Sequence, residues 1–137
     1  MDSVVIDTDV LSYLSKQDTR GELYRPHIDG KLGVLSFMTI AELDFWANAR
    51  KWGQNRREKL TAFLEPYTII DSDRELCRRW ADIRSEAMRI GFHIDTADCW
   101  IAATATRYTI PLVTHNKDHF IHVKGLTIIS EESRQLS

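Results

Sequence analysis

The stretch SVVIDTDVLSYL, residues 3–14, changes its period in the middle. Val4, Val5 and Ile6 form an uninterrupted apolar run, as expected of a strand buried on both faces, whereas Val10, Leu11 and Leu14 recur at helical spacing. Asp7 stands at the junction. A strand that passes directly into a helix is the opening unit of a parallel α/β sheet, and a carboxylate immediately after the first strand lies at the sheet edge where such folds place their functional groups.

Outward from that unit the alternation continues. Gly33 to Ser36 reads as a second strand, and Ile40, Leu43 and Ala47 imply a second principal helix. Gly53 to Leu64 is a further helix stopped near Pro66, followed by a third strand from Tyr67 to Ile70. Leu76, Trp80, Ile83, Ala87 and Ile90 share one helical stripe that ends at Gly91, a residue suited to a left-handed cap. Asp95 to Tyr108 is a helix rich in alanine, able to pack close to a neighbouring layer. Leu112 to Thr114 and Leu126 to Ile129 are the last strands, and the polar EESRQLS end is expected to fray. Apolar strands alternating with helices describe an α/β fold with a mostly parallel sheet covered on both faces.

The 137 residues suffice for one domain with its own core, so a single domain over 1–137 is expected. Cys77 and Cys99 show neither a CxxC spacing nor a disulfide framework, and no segment has the start of a signal peptide or the length of a membrane span. A cytoplasmic protein is the expectation. A formal net charge of -2 argues against a protein that coats nucleic acid by general attraction. Local charge differs: Arg50, Lys51, Arg56, Arg57 and Lys59 face the single acid Glu58, and Arg74, Arg78, Arg79, Arg84 and Arg89 follow on the next long helix. Each group is either a solvated helix face or a phosphate-contacting one.

Four acids gather where chemistry is expected. Asp7 ends the first strand, Glu42 lies early in the second principal helix, Asp98 occupies the first turn of the alanine-rich helix, and Asp118 follows the fourth strand. Carboxylates converging at one sheet edge repel one another unless a cation compensates, and hard oxygen ligands suit Mg²⁺ or Mn²⁺. Each has a plainer reading too. Asp95 can be an N-cap with Asp98 favoured by the helix dipole, while Glu42 and Asp118 can be exposed acids. His115, His119 and His122 invite a zinc reading, which is set aside because the segment is too short for a firm helix. No GxSxG elbow and no phosphate-cradling glycine loop is present. The tryptophans read as core or interface residues.

VVIDTDVLSYL (4–14), SFMTIAELDFW (36–46), DTADCWIAATA (95–105) and LVTHNKDHFIHVKGLTII (112–129) resemble, in order and spacing, the four segments of PIN-domain proteins, specifically the VapC-type toxins of toxin-antitoxin pairs. The resemblance implies a three-layer α/β/α, Rossmann-like fold. It implies an endoribonuclease that uses Mg²⁺ or Mn²⁺ to hydrolyse phosphodiester bonds in structured RNA such as tRNA or rRNA. The family's metal-holding acids fall on Asp7, Glu42 and Asp98. Thr8 and Asp9 follow the first of them, Asp9 standing where asparagine is frequent, and the fourth position leaves both Asn116 and Asp118 as candidates, with Asp118 kept as a catalytic residue. A VapB-type antitoxin and a homodimer are the implied partners. Three rival readings stand beside this one: a PIN nuclease for RNA maturation rather than a toxin, a haloacid-dehalogenase-like phosphatase suggested by Asp7-Thr8-Asp9, and a non-catalytic binding module.

Overall fold

The computed structural model describes residues 2–132, so the part of the tail expected to fray from residue 133 on lies outside the described residues. In chain order the elements are β1 (Ser3–Ile6), α1 (Thr8–Ser15), α2 (Thr19–Glu22), α3 (Arg25–Ile28), β2 (Leu32–Ser36), α4 (Phe37–Ala49), α5 (Gln54–Leu64), β3 (Thr68–Ile70), α6 (Arg74–Ile90), α7 (Thr96–Arg107), β4 (Leu112–Val113) and β5 (Ile128–Ile129). The strands form one sheet in the order β3-β2-β1-β4-β5, and every pairing is parallel.

The period-2 alternation of side chains divides the core into two layers. Val4, Ile6, Leu35 and Val113 pack against Val10, Leu11 and Leu14 of α1 and against Tyr24 and Ile28. Val5, Val34 and Leu112 face the other way, onto Ile101, Ala102 and Ala105 of α7. The alanines let α7 approach the sheet closely, and α6 covers its far side through Trp80, Ile83 and Ala87. An α/β/α sandwich results, as the sequence pattern implied.

The clearest helix of the sequence carries both its end signals. Asp73 caps α6 by accepting the Leu76 N–H at 2.7 Å, and Gly91 closes it at φ 75°. Another glycine is required by proximity: a Cβ on Gly33 would lie 2.6 Å from the Tyr67 ring. Two elements were not expected. The helices α2 and α3 are four residues each, too short to show a period, and they are held by the Asp18 cap on Arg20 N–H and by Pro26 in the first turn of α3. Between them Tyr24 is fully buried. The strands β4 and β5 are two residues each, shorter than expected. Among the described residues no helix is long and apolar enough to cross a membrane.

Candidate active site

Strand order reverses at β1, whose neighbours are β2 on one side and β4 on the other, so a crevice opens beyond the carboxyl ends of β1 and β4. Asp7 sits there. Its backbone N–H donates to Val113 O at 2.9 Å, and its own carbonyl begins the α1 ladder by accepting from Leu11 N–H. The buried carboxylate is held at both oxygens, Oδ1 accepting the Thr8 N–H at 2.8 Å and Oδ2 accepting the Thr114 hydroxyl at 2.7 Å.

The other acids come from separate elements. Glu42, half-buried on α4, accepts the Thr8 hydroxyl at 2.8 Å; Thr8 in turn lies 2.9 Å from Thr39 Oγ1, which is free to donate to it. Asp98, half-buried, lies 3.1 Å from the His119 ring. Asp118 is exposed and lines with His93, Asp95, Asp98 and His119 a recess of about 140 Å³. Asp95 takes the N-cap position of α7, but its side chain makes no capping bond and instead lies 2.9 Å from His93 Nε2. Asp9 joins the group from the first turn of α1, with Oδ2 accepting the His115 N–H at 3.1 Å and so tying α1 to the segment after β4.

The acids act on each other's charge. Burial, then the charges of Asp9 and Asp98, push the Asp7 carboxyl well above its ordinary range despite the bonds from Thr114 and Thr8. Burial, then Asp98 and Asp9, raise Glu42, and burial raises Asp98 against the opposing pull of His119. Among the groups acting most strongly on Asp7 and Glu42 there is no lysine or arginine. An all-oxygen, anionic crevice of this kind fits a hard divalent cation. Among the described residues no three histidine, cysteine or acidic side chains converge as a group that could hold a metal ion.

The PIN domain family model matches residues 4–126. The chain belongs to this family. Ribonuclease VapC1 of Methanocaldococcus jannaschii is 30% identical to this PIN domain over 129 residues, covering 91% of this chain and 85% of the relative. VapC ribonuclease Y4jK of Sinorhizobium fredii is also 30% identical, over 136 residues, covering 93% and 96%. In three dimensions the PIN domain overlays a chain of the crystal structure of VapBC2 from Rickettsia felis bound to a promoter DNA fragment, with a TM-score of 0.82 at 22% identity over 93% of this chain and 98% of that one.

Further side chains of the PIN domain complete the crevice. The sequence offers His119 only as a zinc candidate, yet it is the side chain that meets Asp98; His115 turns inward between Tyr13 and Tyr24, and His122 packs on Phe92, so the three histidines serve three places. Thr114 directly follows β4 and belongs to the LVTHN segment that carries part of the resemblance. Thr114→Val removes a fully buried hydroxyl that donates to Asp7 and accepts the Asn116 N–H at 3.0 Å. Two groups are then left without their partner, so thermal denaturation should show a loss of about 1–3 kcal/mol in stability, and an unchanged midpoint would remove Thr114 from this role.

Proposed function

We propose that this PIN domain is a divalent-metal-dependent endoribonuclease and the toxin of a toxin-antitoxin pair, cutting structured RNA such as tRNA or rRNA in the cytoplasm. The observation that carries the proposal is the buried Asp7 carboxylate at the strand-order switch, which feels the charges of Asp9 and Asp98 and is joined to Glu42 through Thr8. Asp7 and Asp98 are the acids to hold the metal, with Glu42 behind Thr8 as a further ligand or a hydrogen-bond acceptor for a bound water. When bound, Mg²⁺ or Mn²⁺ would polarise the scissile phosphate and acidify a water for in-line attack. Thr114 and the Thr8 N–H keep Asp7 aimed, Thr8 and Thr39 do the same for Glu42, and Asp118 and His119 line the approach beside Asp98.

The family match over residues 4–126 favours the nuclease reading over the phosphatase one. An antitoxin of the VapB type would inhibit by filling the anionic crevice with a cationic side chain, in competition with the metal. Exposed Phe45 on α4 and Ile69 on the edge strand β3 offer apolar surface for a homodimer. The deciding experiment incubates the protein with total tRNA and with rRNA in Mg²⁺, in Mn²⁺ and in EDTA. Discrete fragments in either metal and none in EDTA are expected; equal cleavage in EDTA, or none under any condition, overturns the proposal.

A further inference from the structure

The two basic segments of the sequence have different fates in the fold. On α6 the arginines are largely neutralised: Arg78 and Arg79 pair with Glu75, Arg89 pairs with Glu86 at 2.6 Å, and Arg84 donates to the Ile94 carbonyl. Around α5 the cations stay unpaired. Among the described residues Lys16, Arg50, Arg56 and Lys59 make no ion pair with an acid. Arg57, although it belongs to the same run, is turned inward, its guanidinium capping the end of α4 through the carbonyls of Ala47 and Trp52 at 3.1 and 2.9 Å. It is therefore a structural residue rather than a surface cation.

The unpaired cations line a built feature. Lys16, Arg56 and Lys59, with Ser15, Trp52 and Phe63, enclose a cleft of about 400 Å³ between the end of α1 and α5. Lys16 is held below its ordinary range by partial desolvation and then by the charges of Arg50 and Arg56, as expected where like charges crowd without a counter-ion. The indole N–H of Trp52 is buried there without an acceptor, and Arg56 lies 3.9 Å over the same ring. Donors and positive charge are gathered along this cleft.

The cleft is linked to the acidic crevice by one face of one helix. Asp9, Tyr13 and Lys16 stand at i, i+4 and i+7, a single stripe on α1, and each is at least partly exposed. Asp7 caps one end of that helix and Lys16 the other, a separation of about 12 Å for eight residues, which is within reach of a few nucleotides of single strand. Arg20 stacks over Tyr13 at 4.0 Å, its charge paired with Asp18 at 2.7 Å.

We propose that this cleft holds the phosphate backbone of the substrate RNA a few nucleotides from the scissile bond, with Tyr13 as a stacking surface between the cleft and the acids. The inference rests on the ribonuclease reading above. It resolves an electrostatic difficulty of that reading, since an anionic crevice repels the polyanion it must cut and needs a separate positive surface to hold it.

The test measures binding of total tRNA and of a labelled oligouridylate to full-length Asp98→Asn protein in EDTA, over a range of salt. Combined Lys16→Ala, Arg56→Ala and Lys59→Ala should weaken binding to both probes about tenfold or more and flatten the salt slope by about 0.7 for each phosphate that is no longer neutralised. The exposed single variant Lys59→Glu, which disturbs no packing, should weaken binding in the same direction, and Arg78→Ala with Arg89→Ala on α6 should leave it unchanged. Unchanged affinity and slope in both cleft variants overturn the proposal. So does a result in which those variants keep RNA but lose a polyglutamate peptide, which would make the cleft a site for an acidic protein segment. The ribonuclease reading fails separately: cleft variants that lose RNA, in a protein whose wild type cuts none, would leave the cleft standing and remove the catalysis.

Discussion

Asp98→Asn should lower the rate of RNA cleavage by roughly a hundredfold or more, while Asp95→Asn, three residues earlier on the same helix end, should leave it nearly unchanged. The contrast follows from where the two carboxylates go. Asp98 is half-buried, raised by burial and by its acidic neighbours, and acts on the charges of both Asp7 and Glu42. The change to asparagine keeps the volume and removes the charge that would hold a cation. Asp95 occupies the cap position but makes no capping bond; its exposed carboxylate pairs with His93 and acts on Asp98 only through its charge. Even the modest stability loss expected of a broken cap should therefore be absent. Cleavage of total tRNA in Mg²⁺, compared at matched circular dichroism, decides the matter, and an inactive Asp95→Asn beside an active Asp98→Asn would reverse the roles.

Asp7→Asn should produce a protein that is inactive yet more stable than the parent in EDTA at neutral pH. In the unfolded chain Asp7 titrates near 3.8, whereas burial and the charges of Asp9 and Asp98 raise it well above that value in the fold. From pH about 3.8 up to the raised value the folded state holds a proton that the unfolded state has released, so stability falls as pH rises through that window, and the loss is complete above it. The variant carries no such penalty. Its amide can still accept from Thr8, and the Thr114 hydroxyl can rotate to accept from the new NH₂ group. Mg²⁺ should raise the melting temperature of the parent, by binding only the folded state, and leave that of Asp7→Asn almost unmoved. A parent as stable as the variant in EDTA at pH 7, and insensitive to Mg²⁺, would show that Asp7 carries no uncompensated charge.

Much of this fold is readable from the chain because a parallel sheet buried on both faces writes its strands as plain apolar runs. Val4 to Ile6 is of that kind, whereas the stripe from Leu76 to Ile90 shows a helix by its spacing; of the acids Asp7 is marked by a strand end, and Glu42 and Asp98 are singled out by the family resemblance. What was not readable depends on paths rather than periods. The helices α2 and α3 are single turns, fixed by the burial of Tyr24 rather than by any repeat. His119 reaches Asp98 only because the segment after β4 turns through a short 3₁₀ helix at Lys117–His119. The inward turn of Arg57 depends on the α4–α5 connection, so charge counting alone groups it with Arg50 and Arg56.

The central strand has a consequence for synthesis. β1 is made before β4, which fills one of its two edges, and Asp7 takes its hydroxyl donor from Thr114, 107 residues later. A nascent chain that stops short of β4 already holds Asp7 and Glu42, yet it has no crevice, because the second wall has not been made. Pairings this distant in sequence form late and together. The cleavage proposed for this crevice therefore requires β4 and Thr114 to have been made and docked beside β1.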